Sequence, residues 1–226
     1  MNVLGIETST SVCSVGFVND RGVSLERNIV DPHIHSERLL SLIDDVRSQA
    51  GESLQTLDAI AVSIGPGSFT GLRIGLSTAK GLCYALGCRL ISVPTFDAVA
   101  ETVRREVQGL QHIVIVVDAK QGEFYFTSTD AEGQRGTATT IVDAQRLEHL
   151  PKNGGGLSKP RWLTDRADII QSLGVKQELI AAYSSFCRGD FVARIGIEKL
   201  RVNDVVDLAS IEPMYLKNFV VKTAIN

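Results

Sequence analysis

Two short stretches carry residue types that could hold a phosphate and its metal: "ETST", Glu7 to Thr10, and "DAK", Asp118 to Lys120. Each acid ends an apolar run, "VLGI" before Glu7 and "HIVIVV" before Asp118, and small or polar residues follow before the chain turns back. One acid from each stretch suits a hydrated magnesium ion, with the hydroxyls of Thr8, Ser9 and Thr10 and the turn amides on phosphate. The same groups suit a plainer job, because Ser, Thr and Asp cap turns by bonding to neighbouring backbone. The sequence leaves both readings standing.

A third stretch, "SIGPGSFTGLRIGLSTAKGLCYALG" at residues 63–87, is rich in glycine and sits behind the apolar run "LDAIAVSIG". It lacks the G-x-x-x-x-G-K-[ST] of a P-loop, and Gly65-x-Gly67 is followed by Gly71, one residue too late for a dinucleotide fingerprint. A phosphate at the helix N-terminus stays open on general grounds. Within the helix, Gly71, Gly75 and Ala79 recur every four residues as one smooth ridge. Each helical glycine costs roughly 0.8–1 kcal/mol against alanine, so the ridge implies close approach by another element.

Other chemistries find little support. His33 and His35 stand two apart, His35 is followed four positions on by Leu39, and neither His112 nor His149 has a partner at ligand spacing. A helical metal pair and H-E-x-x-H are both missing, and no metal site is expected. There is no G-x-S-x-G nucleophile turn. Cys13, Cys83, Cys88 and Cys187 form no C-x-x-C pair and read as free thiols in a reducing cytoplasm.

The elements around these residues alternate. "VLGIETSTSVCSVGFVND" reads as strand, turn, strand, and "VSLERNIV" as a third strand. "HSERLLSLIDDVRSQAG" puts Leu39, Leu40, Leu42, Ile43 and Val46 on one helical stripe, with Gly51 as its stop. A second helix is expected from about Thr70 to Leu86, then strand "RLISVPT" and helix "FDAVAETVRREV". After Gly109 the pattern restarts with "HIVIVVDAKQGEFYFTST", where Asp118 takes the place of Glu7. "PKNGGGLSKP" reads as a loop, and "DRADIIQSL" and "YSSFCRGDFVARIG" as helices. The expectation is an α/β chain of two similar lobes, residues 1–109 and 110–226, each a mixed sheet flanked by helices, with the closing tail returning to the first lobe. Two lobes that each open with a hairpin whose turn carries an acid resemble the actin-like ATPase (ASKHA) fold, in which those turns face each other across a cleft; here the second lobe is expected to be reduced.

Charge narrows the partners. Among 226 residues, 23 are basic and 26 acidic, for a net charge of −3, the wrong sign for a chain that grips nucleic acid alone. No signal peptide and no membrane-spanning run are expected.

"GIETST", "HSERLLSLID", "SIGPGSFTGLRIGLSTAKGL", "ISVPTFDAVA", "VDAKQGEFYF" and "PMYLKNF" together resemble the bacterial TsaB (YeaZ) family. The resemblance covers residues 1–130 and returns at the tail, while 142–180 departs from it. It implies an actin-like fold and a part in forming N6-threonylcarbamoyladenosine at position 37 of ANN-decoding tRNAs. The family's member is a non-catalytic scaffold and activator, cytoplasmic and dimeric when alone. It pairs with a TsaD-like transferase, is joined by a TsaE-like ATPase, and meets tRNA through the complex. Neither a membrane nor a cofactor is required, though weak ATP or ADP–magnesium binding at Glu7, Thr8, Ser9 and Asp118 fits the fold. The family's partner surface, carried onto this chain, draws on Leu39, Leu42, Ile43 and Val46 in the first helix and Leu72, Arg73, Gly75, Leu76 and Ala79 in the second. On that basis Gly75→Arg is expected to spare the fold and abolish pairing. The rival reading is an autonomous actin-like ATPase or small-molecule kinase.

Overall fold

The computed structural model describes residues 1–31, 34–110, 112–130, 135–149 and 160–216. His33, residues 151–159 of the expected loop and the end of the tail lie outside the described residues.

The first sheet comprises β1 (Asn2–Glu7), β2 (Val12–Asn19), β3 (Ser24–Val30), β4 (Ala59–Ser63) and β5 (Arg89–Val93), in the order β3-β2-β1-β4-β5. The second comprises β6 (His112–Asp118), β7 (Glu123–Asp130), β8 (Arg135–Asp143), β9 (Arg161–Thr164) and β10 (Ile180–Ala182), in the order β8-β7-β6-β9-β10. The two orders are the same topology. In each sheet the first three strands are antiparallel neighbours, and the last two pair in parallel beside the first. Glu7 and Asp118 are the last residues of the first strand in their respective sheets. The duplication therefore holds at the level of single positions.

Helices α1 (His35–Ala50) and α2 (Phe69–Leu86) follow β3 and β4, and α3 (Thr95–Glu106) follows β5. The corresponding α4 (Ala144–Glu148) and α5 (Ala167–Ser172) are far shorter, so the second lobe is reduced in helices rather than in strands. Gly51 and Gly87 end α1 and α2 in left-handed backbone, φ 66° and 68°, where glycine has no Cβ to clash. Leu39, Leu42, Ile43 and Val46 pack with Leu76, Ala79 and Cys83 of α2 onto Ile6, Val15, Ile60 and Val62 of the sheet. That stripe is an inward face, as helical period and strand alternation together require.

The last helix, α6 (Gly189–Arg201), departs from the expected "YSSFCRGDFVARIG". Tyr183–Phe186 form a 3-10 turn, and the α-helix starts only at Gly189. It also belongs to the opposite lobe from its strands. Val192, Ala193 and Ile197 cover the free face of the first sheet, against Val3, Val18, Ala59 and Ile91. The approach is close because Gly5 has no side chain: a Cβ there would stand 2.0 Å from the Gly189 carbonyl. In return, α3 lays Phe96, Val99 and Val103 on Ile113, Ile115 and Val117 of the second sheet. The boundary near residue 109 thus separates the sheets while α3 and α6 cross it.

The tail also packs on the first lobe. Val206 pairs with Leu90, Met214 N donates to the Ile64 carbonyl at 2.7 Å, and Lys80 Nζ reaches the Ala209 and Ile211 carbonyls. Among the described residues no helix is long and apolar enough to cross a membrane.

Candidate functional site

The hairpin turns after Glu7 and Asp118 open into one cleft of about 1110 Å³. Ser9, Thr10 and Ser11 line it from the first lobe, Asp118, Lys120 and Gln121 from the second, and Phe69 and Tyr215 stand at its edge.

The two acids do matching work inside their turns. Glu7 Oε1 accepts from Ser9 N at 2.6 Å, and Asp118 Oδ1 accepts from Lys120 N at 2.7 Å, each two residues on. Lys120 and Gln121 are held in left-handed backbone, φ 65° and 61°, a conformation costing non-glycine residues of order 1–3 kcal/mol. Their surroundings then diverge. Glu7 is buried, and its second oxygen accepts from the Ser63 hydroxyl. Burial pushes its carboxyl above the ordinary glutamate range, with the bonds from Ser63 and Ser9 offsetting part of the rise. Asp118 is pulled up by partial burial, but the bonds from Lys120 and the charges of Lys120 and Arg166 outweigh this and hold it below the ordinary range.

The glycines bring the two loops of the first lobe together. A Cβ on Gly67 would lie 2.4 Å from the Ser9 carbonyl, one on Gly71 2.1 Å from the Thr8 carbonyl, and one on Gly75 2.2 Å from Thr8 Oγ1. Ser68 N donates to the Ser9 carbonyl at 2.7 Å, and Gly71 N donates to Ser68 Oγ at 3.2 Å. Two amides that could have met a phosphate are thereby taken. The ridge faces the chain's own hairpin turn.

Glu7 is turned away from the cleft, and no three His, Cys, Asp or Glu side chains converge on a metal-sized point among the described residues. The wall carries Asp118, Glu123 and Asp165 against Lys120, a balance that opposes a polyphosphate.

Helices α1 and α2 turn most of the residues expected at a partner surface into the chain's own core. Leu39, Leu42, Ile43, Val46, Leu72, Gly75, Leu76 and Ala79 are buried within this chain, and of the nine only Arg73 is exposed. The reason is the sheet beneath: the apolar stripe of each helix is what its own lobe buries. The outward side chains are others, notably Leu40 at 60% and Tyr84 at 85% exposure. Arg73 lies over the Phe69 ring, 3.8 Å from its centroid, and Arg73 Nε donates to the Tyr215 hydroxyl at 2.8 Å.

Sequence reasoning missed Tyr183 and the Arg73–Tyr215 contact. Tyr183 is buried at the cleft, edge-on to Phe96. A lone tyrosine in a short turn carries no periodic signal. His35, the first residue of α1, is buried with Nε2 3.3 Å from the Val12 carbonyl.

Duplicated mixed sheets, crossing helices and a cleft between paired hairpin turns define an actin-like (ASKHA) protein. Residues 31–182, about two thirds of the chain, match the family described as TsaD, tRNA N6-adenosine threonylcarbamoyltransferase. The chain is 36% identical over 135 residues to the tRNA threonylcarbamoyladenosine biosynthesis protein TsaB of Escherichia coli (strain K12), covering 60% of this chain and 56% of that one. It thus spans a little over half the length of that relative. YeaZ from Pseudomonas aeruginosa superposes with TM-score 0.78 at 24% identity, over 95% of this chain and 99% of that one. The activator of 2-hydroxyisocaproyl-CoA dehydratase from Clostridium difficile, with bound ADPNP, shares the fold at TM-score 0.53 and 9% identity, over 93% and 100% of the two chains. The chain belongs to the TsaD family, and its curated relatives include bacterial proteins named TsaB.

Proposed function

We propose that this chain is a non-catalytic subunit in threonylcarbamoyladenosine biosynthesis, a scaffold that binds and activates a TsaD-like transferase acting on ANN-decoding tRNAs. The observation that carries this reading is the state of the cleft. Its two acids serve as turn caps, Glu7 inward and Asp118 paired with Lys120, so the cleft lacks the opposed carboxylates that nucleotide chemistry needs. Kinship with the Escherichia coli protein named for this pathway supports the same reading.

In this account the docking surface is the outer side of the packed pair α1 and α2, with Leu40, Arg73 and Tyr84 as its large exposed side chains. Exposed aromatic and arginine side chains are the usual anchors of such contacts. Alone, the chain pairs with itself through this surface. In the complex it accepts the transferase and a TsaE-like ATPase, and tRNA contact comes from the assembly, since a net charge of −3 gives this chain no grip of its own. It works in the cytoplasm and needs no resident cofactor, any ATP or ADP–magnesium binding being weak and favoured by the partner complex.

The test is reconstitution. Formation of the modified adenosine by the transferase and its ATPase rises when this chain is added, while the chain alone turns over no ATP. ATP turnover by the isolated chain, abolished by Glu7→Ala, would instead establish the autonomous ATPase or kinase.

A further inference from the structure

We infer that Cys83 and Cys88 form a redox-active dithiol site, in which a hydroperoxide oxidises Cys88 and Cys83 closes the disulfide. Cys83 lies in the last turn of α2 and Cys88 one residue beyond the Gly87 cap, with their sulfurs 3.6 Å apart. Among the described residues no other cysteine pair is in contact. A disulfide needs the sulfurs at about 2.05 Å, so closure requires an approach of roughly 1.6 Å. The segment between them ends in Gly87, where a Cβ would meet nothing within 4 Å. The linker therefore has room to adjust.

The two sulfurs are unlike. Cys83 is 1% exposed, whereas Cys88 is only half-buried and is the sulfur a small oxidant reaches first. In the neutral pair Cys88 S–H donates to Cys83 Sγ, and Cys83 S–H donates to the Arg89 carbonyl at 3.4 Å. Loss of the Cys88 proton lets the Cys83 S–H turn to the new thiolate. That bond holds the Cys88 thiol below the ordinary range despite its partial burial, while the bond to Cys88 and then burial push Cys83 up. The outer sulfur is the nucleophile and the inner one stays protonated until needed.

The chemistry balances. The Cys88 thiolate attacks one peroxide oxygen, the O–O bond breaks, and the departing alkoxide takes a proton to leave as alcohol, or as water from hydrogen peroxide. Cys88 is then a sulfenic acid. Cys83 sulfur attacks Cys88 sulfur, the S–O bond breaks, and the hydroxide leaves with the Cys83 proton as water. Two thiols lose two electrons and one hydroperoxide gains them. A dithiol reductant reverses the bridge by exchange.

The probes are hydrogen peroxide and phenylarsine oxide, each added to the reduced full chain. Peroxide is expected to remove two hydrogens from the intact mass, to lower the thiol count on denaturation from four to two, and to yield a Cys83–Cys88 linked peptide. Phenylarsine oxide, which bridges neighbouring thiols, binds one per chain and blocks that linkage. Cys83→Ser leaves a dimedone-trappable sulfenic acid on Cys88, and Cys88→Ser slows peroxide-driven thiol loss about tenfold or more. A linked peptide containing Cys13 or Cys187, a bridge only between chains, or oxidation of Cys88 to sulfinic acid with Cys83 left free would overturn the assignment. Should Cys83→Ser fail to fold, the wild-type peptide map and the Cys88→Ser rate decide it.

Discussion

The Thr8 hydroxyl donates to the Gly71 carbonyl at 2.9 Å, joining the first hairpin turn to the glycine-rich helix 63 residues further along the chain. That contact explains the glycine spacing. A residue every four positions along α2 must be small because Thr8 and Ser9 lie against it. Their closeness fixes the cleft's first wall and uses amides that a phosphate-binding loop would leave free.

Substitutions along α2 should therefore split by position. Gly71→Ala puts a Cβ 2.1 Å from the Thr8 carbonyl, a backbone atom, and should cost about 2 kcal/mol or more. Gly75→Arg, expected from sequence to spare the fold, should unfold it in part, because even its Cβ meets Thr8 Oγ1. Gly81 faces open space in the same helix, so Gly81→Ala should gain about 0.8 kcal/mol. Urea unfolding of the three variants checks the pattern. Equal effects at Gly71 and Gly81 would contradict it.

Glu7 makes stability depend on pH. Its folded pKa is raised, so the folded state holds its proton longer than the unfolded chain does. The resulting stabilisation is complete below the ordinary value of 4.5 and is lost as pH rises through the folded value. Glu7→Gln keeps both bonds, its oxygen accepting from Ser9 N and its amide donating to Ser63. The variant should match wild type at pH 4.5 and be the more stable of the two at pH 7 in urea titrations. A variant less stable than wild type at neutral pH would refute this.

Ser14 ties the start of α6 to the first sheet. Its buried hydroxyl accepts from Gly189 N at 2.9 Å and donates to Glu26 Oε1 at 2.7 Å. Ser14→Ala strands an amide at the start of α6 and should cost about 1–3 kcal/mol. For a chain of this length that lowers Tm by about 2–4 °C for each kcal/mol. An unchanged Tm would show that α6 is held by its apolar face alone.

The lobes and their repeat were legible because each opens with an apolar strand ending in an acid, and because α1 and α2 carry long, glycine-stopped patterns. The four-residue "RWLT" of β9 and the three-residue β10 are too short for any period to show. Nor can local pattern reveal that α6 leaves its own lobe, since Val192 and Ile197 look the same whichever sheet they cover. The burial of the expected partner residues has a related reason. An apolar stripe marks the face a helix buries, and Leu39 to Val46 bury theirs in their own core. Leu40, grouped with that stripe by its apolar character, faces outward instead because it sits a helical step off the buried line, and the exposed Tyr84 carries no spacing signal.

The most direct test of the docking account is calorimetric titration of the TsaD-like transferase with wild type and with the double variant Leu40→Glu, Tyr84→Glu. Both side chains are exposed, so the variant should keep its Tm while its affinity falls about thirtyfold or more, the loss of one interface anchor worth about 2 kcal/mol. Binding by the folded variant within about twofold of wild type would contradict the account.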